Sequence, residues 1–304
     1  MLKSQIVALE GYMKIHAYRV IPRGEISLET VLSHLHGLPL EQRIRSTPVG
    51  SLRLEDSDNT GPFWLLDFGG ISPHGPGRAS ASTPIEDFDL LEEEGFGQET
   101  AALYDPASGF MTLQYNHFGP RAGRIQAYLY KFARVVAGQA EGEELPDAPD
   151  GFTLLPVMKA ETTSRLNHLG IVKRIEMSFY VPGVIENQGR QRPSLSSILD
   201  NPVVGSAEQI KLQIVAGRGR AATLAVAPVR QLVTDLLGVR EDVVELSITA
   251  RETEEAPSEP MDFIEARLQA DIPIQRTGRR YGRRERWTAL RQAFEAWRDN
   301  GQFT

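Results

Sequence analysis

The chain has no cysteine. Disulfides and thiolate metal sites are therefore excluded, and a reducing compartment, the cytoplasm, is the expected location. It also lacks any apolar run near the roughly 18 residues that a spanning helix needs, because the longest candidates are broken by Gly, Pro or charge. Direct membrane insertion is not expected. The opening segment MLKSQIVALEGYMKIHAYRV has no Ala-x-Ala-like exit and carries Glu10 in its apolar stretch. That argues against a secretory signal and leaves Met13 as an alternative start. No nucleophile elbow, phosphate loop or dinucleotide fingerprint occurs, and Gly217-Arg218-Gly219-Arg220 lacks the third glycine. The expectation is a non-enzymatic protein without a cofactor.

What is present is the composition of an ordinary soluble globular protein. With 41% hydrophobic and 24% charged residues, the chain is too apolar for general disorder. Its 304 residues suit two modest domains. The formal charge of −7 speaks at first against nucleic acid, but a polyanion responds to the local field and not to the sum.

Periodicity predicts an α+β fold of mixed, mainly antiparallel sheets with flanking helices. Lys14 to Ile21 reads as a strand, and Ser27 as the N-cap of a helix carrying Leu28, Val31, Leu32 and Leu35. Strands follow around 50–54 and 62–68, and the Gly/Ser/Pro/Ala-rich stretch 69–84 reads as a mobile loop and candidate hinge. Asp105-Pro106-Ala107-Ser108-Gly109 predicts a hairpin turn, and Gly119-Pro120 opens a helix with Ile125, Tyr128, Leu129 and Phe132 on one stripe. An N-terminal domain thus covers 13–137, an acidic linker 138–151, and a C-terminal domain 152–304. Within the last, Ile175, Met177 and Phe179 alternate with polar residues, as do Val244, Leu246, Ile248 and Ala250, predicting half-buried strands. A helix is expected over 221–237, with Pro228 either kinking it or marking its true first turn. A final helix from Arg283 places Trp287, Leu290, Phe294 and Trp297 together.

The sharpest charge feature is the set Arg276, Arg279, Arg280, Arg283, Arg284, Arg286 and Arg291, offset by Glu285 alone. Arginine suits phosphate because its planar fork donates two bonds at fixed geometry, and the flanking glycines let a backbone lie close to a ligand. Arg218 and Arg220 form a second basic element, where helix N-terminal amides would add to anion binding. Lys173 with Arg174, Lys211, and Arg190 with Arg192 complete the candidates. Phosphate-backbone contact fits this composition better than base reading, since no zinc finger, homeodomain or basic zipper is present. The bland alternative is that the arginines pair with the chain's own acids or cover Trp287 and Trp297.

The acidic run Glu86, Asp87, Asp89, Glu92, Glu93, Glu94 and Glu99 holds the residue types of a divalent-metal nuclease. It also suits an acidic strip that competes intramolecularly for the arginines. Histidines 16, 34, 36, 74, 117 and 168 are too scattered for a zinc site, and His117 reads as a turn residue bonded to backbone. Arg121 and Arg124 either meet phosphate or follow Gly119-Pro120 as packing residues. A third class, a protein-interaction scaffold, would use Trp287 and Trp297 as a partner groove.

One resemblance goes further. Residues 95–130, GFGQETAALYDPASGFMTLQYNHFGPRAGRIQAYLY, follow an acidic run and end a strand in Phe-Gly-Pro before a helix. Leu154-Leu155-Pro156-Val157-Met158-Lys159, Thr162-Thr163, Ile210-Lys211-Leu212-Gln213-Ile214, the Arg218/Arg220 turn and Glu245 to Ala250 then come in order. Over roughly 90–268 this order resembles the RexA family of phage-exclusion proteins carried by lambda-like prophages, which shares fold features with the recombination-associated protein RdgC. The resemblance implies a homodimeric, sequence-tolerant DNA-binding sensor in anti-phage defence that changes conformation on DNA and signals to a membrane channel partner of RexB type. The Gly/Ser/Pro stretch and the denser C-terminal arginine cluster depart from that pattern.

Overall fold

Burial runs unbroken from Trp64 to Gly70, so this stretch needs cover on both faces. The computed structural model describes residues 9–47, 50–82, 84–91, 94–138, 151–180, 209–239, 243–277 and 280–303. In chain order the elements are β1 (Leu9–Pro22), α1 (Leu28–Gly37), β2 (Arg45–Thr47), β3 (Gly50–Asp58), β4 (Trp64–Ser72), β5 (Phe96–Asp105), β6 (Phe110–Gln114), α2 (Ala122–Val136) and β7 (Phe152–Pro156). Then follow α3 (Ala160–Asn167), β8 (Ile171–Tyr180), β9 (Gln209–Val215), α4 (Val226–Val239), β10 (Val243–Arg251), β11 (Glu259–Asp262), β12 (Gln269–Thr277), β13 (Arg280–Tyr281) and α5 (Arg283–Asp299). The fold is α+β, with two mainly antiparallel sheets and flanking helices.

The larger sheet has the order β13-β12-β1-β6-β5-β4-β3-β2, with β7 also pairing β1. On one face, α1 lays down Leu28, Val31, Leu32 and Leu35, and α2 lays down Ile125, Tyr128, Leu129 and Phe132, over Leu54, Leu66, Phe68, Ala102 and Leu113. Each such fully buried side chain contributes about 1.5–3 kcal/mol. Ser27 caps α1 as expected, its hydroxyl accepting from the Thr30 amide at 3.1 Å. α5 packs against β5, β12, β6, β1 and β4, burying Ala289, Leu290, Ala293, Phe294 and Trp297. Phe294 meets Phe63 edge-on at 5.0 Å.

The sequence reading assigns 152–304 to one domain, and the fold corrects this. The chain up to Leu154 forms one unit together with Gln269–Phe303, while Leu155–Leu268 forms the other. β12 pairs along the first half of β1, from Leu9↔Arg276 to His16↔Gln269, and so returns α5 to the first sheet. Residues 139–150 of the expected linker lie outside the described residues. The stretch 69–84 is also not loop from its start, because β4 continues through Ser72. Gly69 and Gly70 serve close approach here: a Cβ at Gly69 would sit 2.3 Å from Glu55 Oε1, and one at Gly70 3.2 Å from the Pro120 ring.

In the second unit the sheet order is β11-β10-β8-β9. Val172, Ile175, Met177, Leu246 and Ile248 face Val229, Val233 and Leu236 of α4 in a single core, while Glu176, Glu245 and Ser247 remain partly exposed, the alternation of a sheet covered on one side. Pro228 falls in the first turn of α4, where its missing amide costs nothing. Among the described residues no helix is long and apolar enough to cross a membrane.

Tyr128 ties α2 to the sheet. Its hydroxyl accepts from the Leu54 amide at 3.0 Å and donates to the Arg43 carbonyl at 2.7 Å. Burial, partly offset by the Leu54 hydrogen bond, pushes its pKa well above the usual tyrosine range, so the hydroxyl stays a donor at all working pH values. Tyr128→Phe leaves both backbone groups unpartnered, and the expected loss is about 1–3 kcal/mol. Urea denaturation checks this: the midpoint should fall while the slope stays constant.

Candidate nucleic-acid interface

The structure divides the expected arginine cluster into residues held on Asp67, of which Arg286 is buried and Arg283 partly exposed, and an exposed remainder. Asp67 lies on β4, fully buried, with its side chain on the α5 face. Arg286 is 3% exposed and forks onto it, Nη1 to Oδ1 and Nη2 to Oδ2, both at 2.8 Å. Arg283 adds Nε to Asp67 Oδ2 at 2.9 Å and Nη1 to Asp56 Oδ2 at 2.5 Å. Glu99 of β5 approaches Arg286 at 3.4 Å and Arg280 at 3.5 Å. Burial pushes the Asp67 carboxyl upward, against Arg286 and Arg283. Burial likewise works against the Arg283 charge, but Asp67 and Asp56 more than offset it and hold the guanidinium protonated.

Arg283 and Arg286 therefore hold α5 on the sheet; Arg286 is buried and closed to a ligand, which corrects it as an expected DNA contact, whereas the Arg283 side chain stays 39% exposed and lines an open cleft. Two charges in a dry site have no other way to be satisfied. Trp287 belongs to the same packing, its Nε1 donating to the Leu66 carbonyl at 3.0 Å, and Trp297 is buried. Burial removes Trp297 from the expected partner groove, while Trp287 stays partly exposed. Arg280 is 76% exposed, and Arg276, Arg284 and Arg291 are also exposed. Arg276 lies over the Tyr281 ring at 5.0 Å. Arg284 lines an open cleft of about 450 Å³ with Asp56, Asp58 and Glu285. Arg279, Arg190 and Arg192 lie outside the described residues.

In the second unit the expected contacts separate in the same way. Lys211 pairs with Glu245 at 2.9 Å, and Arg174 with Glu176 at 3.5 Å, so these are neutralised on the wet face of the sheet. Lys173 turns inward on its neighbours' backbone: Nζ donates to the carbonyls of Gly219, Arg220 and Ala222 at 2.8, 2.7 and 2.5 Å. Arg251 also donates to the Arg220 carbonyl, and to Glu254 O at 3.0 Å. Gly219 has φ +121°, a conformation that favours glycine and that belongs to the turn presenting these carbonyls to Lys173. Arg218 and Arg220 are left exposed, and among the described residues neither side chain meets an acid. Desolvation, then the Arg251 charge, lowers the Lys173 pKa. α4 begins only at Val226, so helix amides do not join this loop as expected.

Among its described residues, the acidic run does not gather into a metal centre. Glu86 pairs with Arg78 at 2.6 Å, Glu94 Oε2 accepts from the Leu91 amide at 2.9 Å, and Glu99 faces the arginines. Asp87 and Asp89 are exposed, while Glu92 and Glu93 lie outside the described residues. No group of three metal-capable side chains occurs among the described residues. Of the histidines, His117 accepts from Arg121 Nη2 at 3.0 Å through Nδ1 instead of bonding backbone, and His36 Nδ1 meets Ser57 Oγ at 2.8 Å. Arg124 reaches Thr47 Oγ1 at 3.1 Å, a packing role.

A nine-stranded, mainly antiparallel sheet closed by a C-terminal helix, with a four-stranded α+β unit inserted between β7 and β12, defines the architecture. The chain belongs to DUF6731, a family of unknown function whose model matches residues 19–280. No curated protein matches it.

Asp67 was legible only as an oddity, one acid inside Trp64-Leu65-Leu66-Asp67-Phe68. Breaking its pair should be costly: Arg286→Ala leaves a buried carboxylate, with an expected loss of about 3–5 kcal/mol. Replacing both members, as Asp67→Leu with Arg286→Met, should recover most of that loss in urea denaturation. A double variant as weak as the single would show that the pair is not the source.

Proposed function

We propose that this chain is a non-enzymatic, cytoplasmic, sequence-tolerant DNA-binding protein that contacts the phosphate backbone through the loop 217–220. The observation that carries the reading is the construction of that loop. Lys173 and Arg251 hold its carbonyls, so its shape is fixed before any ligand arrives, while the Arg218 and Arg220 guanidiniums stay exposed and lack acidic partners. Two cations of the loop, Arg218 and Arg220, thus lie beside Lys173 and Arg251, and their mutual repulsion is relieved by an anion. A preorganised fork for phosphate loses less side-chain entropy on binding than mobile surface lysines do. Arg280 and Arg284 in the first unit are further exposed cations, with Glu99 beside Arg280 and Asp56, Asp58 and Glu285 lining the cleft of Arg284.

The setting is drawn from the RexA-like order of segments alone: phage exclusion, a homodimer that changes conformation on DNA, and a membrane partner of RexB type. A metal-dependent nuclease is the alternative reading, and the dispersal of the acidic run weakens it. Duplex binding measured over a salt series, with and without Mg²⁺, separates the two. Backbone capture predicts log affinity falling linearly with log salt, by roughly 0.9 per phosphate neutralised, with intact DNA recovered. The double reversal Arg218→Glu with Arg220→Glu should flatten that slope by about two such steps and weaken binding to every sequence alike. Cleaved DNA, or a slope unchanged by the reversal, would overturn the proposal.

A further inference from the structure

A different surface, in the first unit, has the chemistry of base stacking. Tyr12 is 71% exposed, Phe118 77% and Tyr115 40%, exposures at which a large aromatic ring calls for a reason. They lie in one neighbourhood. Tyr115 continues the line of β6, its amide donating to the Lys14 carbonyl of β1 at 2.7 Å, so Tyr12, Lys14 and His16 of β1 flank it on the same face. The His16 ring stacks on Tyr115 at 5.0 Å, and Arg121 lies over the same ring at 5.3 Å. Arg121 in turn donates to His117, whose ring meets Phe118 edge-on at 5.1 Å.

We infer that Tyr12, Tyr115 and Phe118, with Arg121 and Lys14 at their side, form a stacking platform for single-stranded nucleic acid. Lys14 and Arg121 stand beside the rings, and across the β1–β12 register Asp271 faces Lys14 and the exposed Pro273 faces Tyr12. Rings for base faces and cations for phosphates are the two components of sequence-tolerant single-strand binding, and an arginine plane stacks on bases as a ring does. The platform shares no residue with the loop 217–220, so the two surfaces fail or succeed separately.

Fluorescence anisotropy of the full chain with thymidine and uridine homopolymers, and with a mixed-sequence duplex, tests it. Tyr12→Ala and Phe118→Ala should each weaken homopolymer binding about 5- to 100-fold, from the usual worth of one stacked base, and leave duplex binding unchanged. Tyr12→Phe should keep full affinity, because the ring face and not the hydroxyl is used. Both rings are exposed, so an unaltered melting temperature verifies that the fold survives. The thymidine and uridine arms distinguish DNA from RNA as the source of the strand. Homopolymer affinity equal in parent and alanine variants, or absent in the parent, overturns the inference. So does a gel-filtration mass that drops in the Tyr12→Ala, Phe118→Ala double variant, which would make the surface a protein interface.

Discussion

The first unit depends on one charge pair, Asp67 with Arg286. A carboxylate without solvent access in the middle of a sheet is tolerable only if a cation meets it with good geometry, and the two 2.8 Å bonds of Arg286 supply that. The pair spans 219 residues of sequence and joins the early strand β4 to the last helix. Once α5 is held, Leu290, Phe294 and Trp297 cover the second face of the sheet and Trp287 reaches the Leu66 carbonyl. The chain can then leave at Leu154, build a separate unit, and return at Gln269 to complete the first. Buried ion pairs add little net stability over an apolar pair of the same shape, but they punish every arrangement that leaves one charge unmet. Here the pair fixes where α5 docks.

The same demand for charge satisfaction decides which cations are left for other work. Arg283 and Arg286 are spent on Asp67 and Asp56, Lys211 on Glu245 and Arg174 on Glu176. Lys173 differs, because it meets backbone carbonyls and stands beside Arg251, with Glu254 acting on its charge as well. Arg218 and Arg220 are thus left exposed in the second unit, while the first unit offers the exposed rings of Tyr12 and Phe118.

Local elements were readable because their causes are local. Ser27 at the N-cap, the i, i+3, i+4 spacing through Ile125, Tyr128, Leu129 and Phe132, and Gly109 with φ +72° in the β5–β6 turn each follow from neighbours in sequence. Gly69 and Gly70 misled for the same reason. Glycine signals either a turn or a close approach, and the approaching groups, Glu55 and Pro120, are distant in sequence. β12 gave little signal, because Asp271, Pro273 and Gln275 sit on its exposed face and only Ile274 is deeply buried.

The sequence alone determined the α+β class, the placement of most helices and strands, and the presence of more arginine near the C-terminus than a neutral surface requires. It also held the polar residue inside an apolar run that marks Asp67. Tertiary structure decided the rest: the discontinuous first unit, the loss of Arg286 to the interior, the pairing of Arg283 with Asp67 and Asp56, the anchoring of Lys173 and Arg251 on the 217–220 loop, and the grouping of Tyr12, Tyr115 and Phe118. The physical reason is range. Propensity and periodicity act over a few residues and leave a repeating mark, whereas an ion pair or a shared surface needs two residue types that are ordinary wherever they stand and become specific only when the fold brings them within a few ångströms.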